Sequence, residues 1–377
     1  MTAVMPTQSF PTQSIPTQTI VTPSFPSHTV PTHSATPLAF DHETVLAATG
    51  TRSGLAMVVA VHSTTLGQAL GGCRLWSYNS WADGLADALR LSVGMTSKNA
   101  LAGLNAGGGK SVIMLPAGTV LEGDARRDAF LDMGDLVESL GGSYRTAEDV
   151  ATSSADMAII AERTAHVVGL PTETGGHGDP AEYTARGVYA GMLETLRRAT
   201  GSAEIAGRRI TIAGLGQVGS RLATRLAHEG AVLTVTDFNP GRAQFAIELG
   251  AVWVAPDEAH RVPADVFVPA GVGGMLTPEV IAELAATAVC GPANNQLAEI
   301  GGDIQLRARG ILYAPDYLVN AGGVIRLANE NTSDTAVFTR IDAIEQTLSA
   351  VFDESERSGI TTVQAADRLV AERLSAV

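Results

Sequence analysis

The chain has 377 residues, of which 45% are hydrophobic and 17% charged, a balance typical of a globular protein long enough for two domains. Its net charge of -14 disfavours nucleic acid and membrane surfaces as partners, because both bind clustered Lys and Arg. A small-molecule partner fits this charge better, and the two cysteines, Cys73 and Cys290, form no C-x-x-C pair that would indicate a disulfide framework or a zinc site.

The N-terminal segment, residues 1–38, has the composition of a disordered tail. PTQSF, PTQSI and PTQTI follow one another every five residues, and no Lys, Arg, Asp or Glu precedes Asp41. Such a density of Pro, Thr and Ser cannot bury enough apolar surface to offset the entropy of the chain. The segment lacks the charged start and apolar centre of a signal peptide, and no apolar run in the sequence is long enough to cross a bilayer, so we expect a cytoplasmic protein.

Strands and helices are predicted to alternate through residues 39–180, the first domain. GLAMVVAVHS reads as a strand, and the helix after it begins at Ser80 with Asp83 in capping-box spacing. A second helix runs from about Asp124 until a Gly-Gly pair ends it, and SYRTAEDVA follows as a strand that leads into a loop.

Two lysines, Lys98 and Lys110, lie on either side of the apolar turn and glycines in MTSKNALAGLNAGGGKSVI. The ending of this stretch is that of a phosphate loop, but the leading glycine, Gly103, is one residue too far away. The residues that follow, SVIMLP, read as a strand, whereas a phosphate loop leads into a helix. A lysine near a second cation in dry surroundings has its pKa lowered toward the range of a general base, which makes the pair a catalytic candidate.

A complete βαβ unit follows in the second domain, residues 181–330. RRITIAGLGQVGS is a strand followed by the motif Gly214-x-Gly216-x-x-Gly219, RLATRLAHEG continues as a helix, and VLTVTD is the next strand. In this context the motif predicts a Rossmann-type NAD-binding domain. Gly214 allows a tight turn, Gly216 the approach of a pyrophosphate, and Gly219 close packing of the helix on the strand.

The acid at the end of this unit bears on the choice of cofactor. Asp237 should accept hydrogen bonds from the adenosine ribose, which favours NAD over NADP because a 2'-phosphate would meet a carboxylate. Arg242 nearby weakens that preference slightly. DVFVPA, TAVC and ILYA are predicted as further strands of the domain.

Residues 331–377 are predicted to form C-terminal helices. The first of two amphipathic helices carries apolar residues at alternating steps of three and four, namely Val337, Ile341, Ile344, Leu348 and Val351. We interpret these residues as core or as a subunit contact.

Several longer stretches resemble the leucine, valine and phenylalanine dehydrogenases, the apolar branch of the family that includes glutamate dehydrogenase. They are GGCRLWSY, DALRLSVGMTSKNALAGLNAGGGKSVI, RTAEDV, GPANNQL and GILYAPDYLVNAGGVI, and the resemblance covers the chain from about Phe40. It implies an α/β fold of two domains, an N-terminal α/β substrate domain and a Rossmann-type NAD-binding domain, and a homo-oligomer. The implied reaction is the reversible, NAD-dependent oxidative deamination of an apolar L-amino acid to the 2-oxo acid and ammonia.

The resemblance also implies three roles in the chemistry. Lys98 matches the lysine that binds the substrate carboxylate. Lys110 matches the lysine that activates water and polarises the imine or carbonyl carbon, and Asp149 the acid that moves protons at the amino group.

Three further positions match residues that lie near the ligands. Thr184 matches a threonine near the nicotinamide carboxamide, Asn294 a residue near the nicotinamide ribose, and Asn320 an asparagine on the substrate side. For the two asparagines an ordinary role in a turn is an alternative.

The resemblance further implies an apolar pocket for the substrate side chain. Glutamate dehydrogenases hold the side-chain carboxylate with a lysine and a serine, and these positions are Leu70 and Leu327 here. Ala147 and Val324 are predicted to complete the wall, with ordinary core as the alternative. Arg326 is a cation nearby, but in a helix its side chain lies about a hundred degrees from that of Leu327 and should point away from the pocket. RLANEN departs from the usual VADE pattern, which leaves the shape of the pocket open.

Two other functions stay open at this point. One is a catalytically silent NAD-binding sensor or scaffold, although Lys98, Lys110 and Asp149 are all present. The other is a tryptophan-type biosynthetic relative. The sequence does not choose among leucine, valine, phenylalanine and tryptophan.

Overall fold

Two β-sheets carry the fold. The computed structural model describes residues 40–177 and 179–377, so the tail predicted for residues 1–38 lies outside the described residues. The strands in the described part are β1 (Thr44–Thr49), β2 (Ala56–Ser63), β3 (Ala69–Ser77), β4 (Gly107–Leu115), β5 (Tyr144–Glu148), β6 (Arg209–Ala213), β7 (Val232–Thr236), β8 (Val252–Trp253), β9 (Ala264–Pro269), β10 (Ala286–Val289) and β11 (Leu312–Tyr313). The helices are α1 (Trp81–Leu101), α2 (Gly123–Glu138), α3 (Ser154–Ala161), α4 (Ala181–Thr200), α5 (Gln217–His228), α6 (Ala243–Glu248), α7 (Pro278–Glu283), α8 (Gly302–Ala308), α9 (Asp316–Val319), α10 (Gly322–Ala328), α11 (Asp334–Asp342), α12 (Ile344–Ser358) and α13 (Thr362–Ser375).

The first sheet has the strand order β1-β2-β4-β3-β5. β2 is antiparallel to both of its neighbours, whereas β3 lies between β4 and β5 and is parallel to both. Because side chains alternate across a strand, one face of the sheet packs on α2 and α3 through residues such as Phe130, Tyr144 and Ile160. α1 covers the other face, where the Asn99 side chain donates to the Leu70 carbonyl over 3.2 Å.

The second sheet is entirely parallel, with the strand order β11-β10-β9-β6-β7-β8. α5 connects β6 to β7, as the predicted βαβ unit requires. The order reverses between β6 and β9, and at such a switch point the loops beyond the strands separate and leave a crevice. The sheet is therefore of the doubly wound Rossmann type, which confirms the predicted fold class.

Local sequence signals explain several helix boundaries. Ser80 caps α1, accepting a hydrogen bond from the backbone N–H of Asp83 over 3.3 Å, as predicted. α2 begins one residue before Asp124, close to the predicted start. β1, β3 and β8 were not predicted. The strands of the first sheet lie within residues 44–148 and those of the second within residues 209–313. The domain boundaries at residues 180 and 330 stay predictions.

The C-terminal helices differ in number from the prediction. The first predicted helix is in fact two, α11 and α12, which meet at Ala343, and all five of its apolar residues are buried. Both helices pack on α4, so the chain changes direction while the apolar spacing continues. α13 begins with a capping box formed by Thr361 and Gln364 and returns to α1, where Arg373 donates to the Ala100 carbonyl over 2.6 Å. Within residues 40–177 and 179–377, no helix has both the length and the apolar character needed to span a membrane.

Candidate active site

Lys110 and Asp149 form an ion pair on the face of the first sheet that α1 covers. Lys110 lies in the middle of β4 and is only 4% exposed, and Asp149 directly follows β5. Lys110 Nζ lies 2.9 Å from Asp149 Oδ2. Gly72 in β3 makes room for the carboxylate, because a Cβ there would lie 2.6 Å from Asp149 Cβ. A buried cation is strongly unfavourable unless it is paired, and the carboxylate supplies the partner.

Lys98 approaches this pair from the last turn of α1. Its Nζ donates to Asn294 Oδ1 over 3.3 Å, and the same oxygen accepts from Asn320 Nδ2 over 2.8 Å. Burial lowers the pKa of Lys98 to about 8, a shift that the Asp316 carboxylate opposes and the Lys110 cation reinforces. The lowered pKa predicted for one of the two lysines is therefore found at Lys98, the predicted carboxylate ligand.

An arginine and a second aspartate extend the ion pair, and neither was predicted. Arg74 Nε donates to Asp149 Oδ2 over 3.0 Å, and Arg74 Nη1 donates to Asp87 Oδ2 over 2.8 Å. The Tyr78 hydroxyl also donates to Asp87 Oδ2, over 2.8 Å. Burial by itself would raise the pKa of Asp149, but Lys110 and Arg74 outweigh it and hold the pKa at about 2. The Asp149 carboxylate is therefore ionised at neutral pH.

The two lysines, Asp149 and Arg74 line one cavity of about 240 Å³, which we call the lysine cavity. It brings together four predicted residues from three parts of the chain and contains both lysines of the whole sequence. Loops of the second sheet and the C-terminal helices close it. Its polar lining includes Arg74, Lys98, Lys110, Asp149, Asn294, Asn295, Asp316, Tyr317 and Asp367.

The turn after β6 opens into a second cavity of about 360 Å³, which we call the glycine-turn cavity. Gly214 has φ 117°, a conformation that glycine adopts readily and other residues rarely do. A Cβ at Gly216 would meet no atom within 4 Å, and a Cβ at Gly219 would lie 2.1 Å from the Gly214 carbonyl oxygen. The turn, the open backbone and the close helix packing therefore have the geometry that the motif predicts.

Asp237 follows β7 and lines the glycine-turn cavity. Its Oδ2 accepts from the backbone N–H of Leu215 over 2.6 Å, and its Oδ1 accepts from that of Asn239 over 2.8 Å. Both bonds fix the carboxylate at the edge of the glycine turn. Phe238 lines the same cavity although it is 75% exposed, and sequence reasoning missed it.

Thr184 and Asn320 lie outside the described lining of both cavities. Thr184 is in the first turn of α4, where its hydroxyl donates to the Pro180 carbonyl over 3.1 Å. Asn320 is buried behind Asn294 and donates to the Pro292 carbonyl over 3.1 Å. Asn320 thus contacts the lysine cavity indirectly, through the amide that Lys98 binds.

The four residues predicted to form the pocket wall share one apolar cluster, which we call the apolar wall: Leu70, Ala147, Val324 and Leu327. The first two are buried in β3 and β5, and the other two are half-buried in α10. Arg326 points away from the wall, as predicted, and donates to the Thr332 carbonyl over 2.9 Å. The roles of all these residues stay predictions.

Comparisons with known proteins were made at two levels. The family model described as "Glu/Leu/Phe/Val dehydrogenase, dimerisation domain" matches residues 40–166. The model described as "Glutamate/Leucine/Phenylalanine/Valine dehydrogenase" matches residues 242–375. The first range contains Lys98 and Lys110, and the second contains strands β8 to β11 of the second sheet.

Individual proteins give longer matches. A leucine dehydrogenase of Bacillus cereus is 42% identical over 346 residues, covering 90% of this chain and 92% of the relative. A phenylalanine dehydrogenase of Caldalkalibacillus thermarum is 39% identical over 346 residues, covering 89% and 91%. The crystal structure of L-tryptophan dehydrogenase from Nostoc punctiforme has a TM-score of 0.78 and 35% identity, covering 89% of this chain and 96% of that one.

Proposed function

This chain belongs to the Glu/Leu/Phe/Val dehydrogenase family and is an amino-acid dehydrogenase that uses a nicotinamide cofactor, and on that premise we propose its substrate and mechanism. It catalyses the NAD-dependent oxidative deamination of an L-amino acid with an apolar side chain, giving the 2-oxo acid and ammonia in a reversible reaction. The observation that carries the proposal is the convergence of Lys98, Lys110 and Asp149 in one cavity.

The two lysines divide the work of binding and chemistry. Lys98 holds the substrate α-carboxylate, since its ammonium group lines the cavity in the last turn of α1 and its side chain donates to the neutral Asn294 amide. Lys110 lies on the buried strand, where its Nζ is positioned by Asp149. A cation for the carboxylate and a separate group for the water molecule are what deamination of an amino acid requires.

Asp149 supplies charge and a proton acceptor. Because the Asp149 carboxylate is ionised, it can accept a hydrogen bond from the substrate ammonium group and relay its proton to solvent, which leaves a neutral amine before hydride leaves. Lys110 then passes a proton to Asp149, and its neutral Nζ takes a proton from the water that attacks the α-carbon of the substrate iminium. That proton returns to the amino group, which leaves as ammonia while the new hydroxyl gives its proton to Lys110 and the 2-oxo acid forms. Arg74 keeps the carboxylate oriented from the other side, so the pair holds its geometry when the substrate enters.

The residues around the glycine-turn cavity fit a dinucleotide. Gly214 makes the tight turn and Gly216 leaves backbone exposed at the N-terminus of α5, where a pyrophosphate is stabilised, and Phe238 offers an apolar surface for the adenine. When bound, the nicotinamide accepts the hydride from the α-carbon. We propose NAD as the cofactor because the Asp237 carboxylate, fixed by two backbone N–H groups, suits a ribose hydroxyl and repels a 2'-phosphate.

The apolar wall supports an apolar substrate side chain. Burying a carboxylate against Leu70 and Leu327 without a partner is unfavourable by several kcal/mol, whereas a leucine-sized group gains about 1 to 3 kcal/mol. The proposal includes a homo-oligomer, supported by the dimerisation domain that residues 40–166 match. It also includes a cytoplasmic location, which the two unpaired cysteines support.

The experiment that tests the proposal is NADH formation by the full chain across a panel of L-amino acids, with NADP as the cofactor control. Turnover of leucine, valine or phenylalanine with NAD well above that of glutamate is the expected result. A preference for tryptophan, as the similarity to a tryptophan dehydrogenase allows, would change the substrate but not the reaction. Cofactor binding without turnover of any amino acid would favour a silent sensor or scaffold instead.

A further inference from the structure

Arg145 lies on the same face of the first sheet as the predicted substrate site. β3 and β5 are paired so that Leu70 is opposite Arg145 and Gly72 is opposite Ala147. The register that aligns Leu70 with Gly108 and Cys73 with Ser111 places Gly72 beside Lys110. Since side chains alternate along a strand, Lys110, Leu70, Ala147 and Arg145 all project to this face.

The spacing puts Arg145 beside Leu70 and one step beyond Ala147 as seen from the lysine. Lys110 and Ala147 lie on one line across the sheet, and Leu70 and Arg145 lie on the next line, two residues or roughly 6.6 Å toward the start of β5. A substrate side chain that starts at the lysine cavity and passes Ala147 therefore runs toward Leu70 and Arg145.

The guanidinium of Arg145 has unused hydrogen-bonding capacity. Arg145 is half-buried, and its Nε is fully buried without a hydrogen-bond partner among the residues that the structure describes. Burial lowers the pKa of Arg145, and the Glu330 carboxylate opposes that shift. Buried donors are nearly always paired in proteins, so a donor left open beside a substrate pocket indicates a ligand atom.

Glu330 brings a carboxylate to the same end of the wall. Its Oε1 accepts from the backbone N–H of Gly169 over 2.8 Å, which fixes its position. A Cβ at Gly169 would lie 3.3 Å from Leu327 Cδ2, so the Glu330 anchor is next to the apolar wall. The Arg145 cation thus lies close enough to interact with the Glu330 carboxylate, which Gly169 holds next to Leu327.

We propose that Arg145 and Glu330 form the far end of the side-chain pocket and that they select an L-amino acid with an apolar body and a terminal hydroxyl group, as in tyrosine. This inference rests on the proposed dehydrogenase function and specifies its substrate. A hydroxyl accepts one hydrogen bond and donates another, so it can use the guanidinium and the carboxylate together. A terminal carboxylate would gain from Arg145 and lose to Glu330, and a terminal methyl would leave the buried Nε of Arg145 without a hydrogen-bond partner.

The test compares kcat/KM for L-tyrosine and L-phenylalanine in the wild-type chain and in Arg145→Leu. We expect the wild type to favour tyrosine, and the ratio of tyrosine to phenylalanine to fall at least tenfold in the variant while phenylalanine is still used. Arg145→Gln, which keeps a donor but no charge, should give a smaller fall. Arg127→Leu is the matched control, because Arg127 is an exposed arginine on the helix that packs on the opposite face of the sheet, and its ratio should not change.

Each other outcome has a definite meaning. An unchanged ratio in Arg145→Leu and Arg145→Gln, with leucine or phenylalanine still turned over, overturns the inference and leaves the proposed function standing. Preference of the wild type for L-2-aminoadipate over tyrosine assigns a carboxylate to Arg145 and overturns the hydroxyl. Absence of turnover with every amino acid overturns the proposed function, and the inference with it.

Discussion

The two cavities of this molecule are built in different ways. The glycine-turn cavity is formed by the loops of the second sheet alone, with the β6–α5 turn, the end of β7 and the loop after β9 around it. The lysine cavity is formed by charged side chains from the first sheet, α1, two loops of the second sheet and α13. The first therefore depends on local geometry, and the second depends on the tertiary structure as a whole.

The difference extends to electrostatics. In the glycine-turn cavity the single carboxylate of Asp237 is satisfied by neighbouring backbone N–H groups. In the lysine cavity the Asp149 carboxylate pairs with two cations, Lys110 and Arg74, and the pKa values of Lys98 and of Asp149 are both lowered. Substitutions should accordingly affect chemistry at one cavity without affecting binding at the other.

Replacing Lys110 by Ala is expected to have the largest effect and gives the strictest test of this separation. The kcat should fall by roughly 10³-fold or more, since a positioned acid or base contributes about 10² to 10⁴. The NADH dissociation constant, measured by fluorescence, should stay within about twofold because the glycine-turn cavity uses other residues. Lys110→Arg, which keeps the cation but is no base at neutral pH, should be as inactive, and near-normal rates in either variant would refute the role of Lys110.

The apolar wall predicts the next largest effect. The kcat/KM for the best of leucine, valine and phenylalanine should exceed that for glutamate by at least roughly a hundredfold, because Leu70 and Leu327 offer the carboxylate no partner. Steady-state kinetics of NADH formation measures the ratio. Leu70→Lys should narrow it, and equal use of glutamate by the wild type would show that the wall does not face the substrate.

Substitution of Asp237 tests whether the glycine-turn cavity also determines which cofactor binds. In Asp237→Asn the acceptors for Leu215 and Asn239 are partly kept while the charge is removed, so the fold of the turn should survive. The preference for NAD over NADP, as a ratio of kcat/KM, should fall roughly ten- to a hundredfold. Arg242→Ala is the comparison variant and should shift the ratio the other way. A ratio that does not move in Asp237→Asn would exclude the carboxylate as the source of cofactor choice.

The smallest predicted effect comes from pH. Lys98 binds the substrate carboxylate only as the ammonium ion, and with a pKa of about 8 this form is complete below that pH and is lost above it. The inhibition constant of 4-methylpentanoate, a carboxylate without an amino group, should therefore rise about tenfold between pH 7 and pH 9. Lys98→Arg should make the constant nearly independent of pH in this range, and a flat profile in the wild type would contradict the assignment.

The glycine-turn cavity was easier to predict from the sequence than the lysine cavity. The strand, glycine motif, helix and following acid of the second domain are contiguous, and the structure has each of them where the pattern predicted. Lys98 and Lys110 were singled out because they lie on either side of an apolar turn and a glycine run, and Asp149 and Asn294 only because the motifs around them resemble a known family. Nothing local connects Asn294 with Lys98, which are 196 positions apart and 3.3 Å from each other at the amide oxygen.

The features that were missed have physical reasons. β3 contains Gly71 and Gly72, which hide the alternating pattern of a strand, yet a Cβ at Gly71 would lie 1.7 Å from the Gly109 carbonyl oxygen. Arg74 and Asp87 look like ordinary surface charges until the sheet brings them to Asp149. Arg145 was not recognised because its face depends on the strand register, which a sequence does not display.

Because both lysines lie in one cavity, a reagent that reacts with side-chain amines should label that cavity selectively. Arginine supplies every other basic side chain except histidine, and its guanidinium does not react with ordinary acylating reagents, so side-chain amines are confined to Lys98 and Lys110. With its pKa near 8, Lys98 is partly neutral and nucleophilic in mildly alkaline buffer, whereas Lys110 is buried against Asp149. Among the side chains, an amine-directed label should therefore modify Lys98 first, and protection of Lys98 by an amino acid would report occupancy of the site without any measurement of turnover.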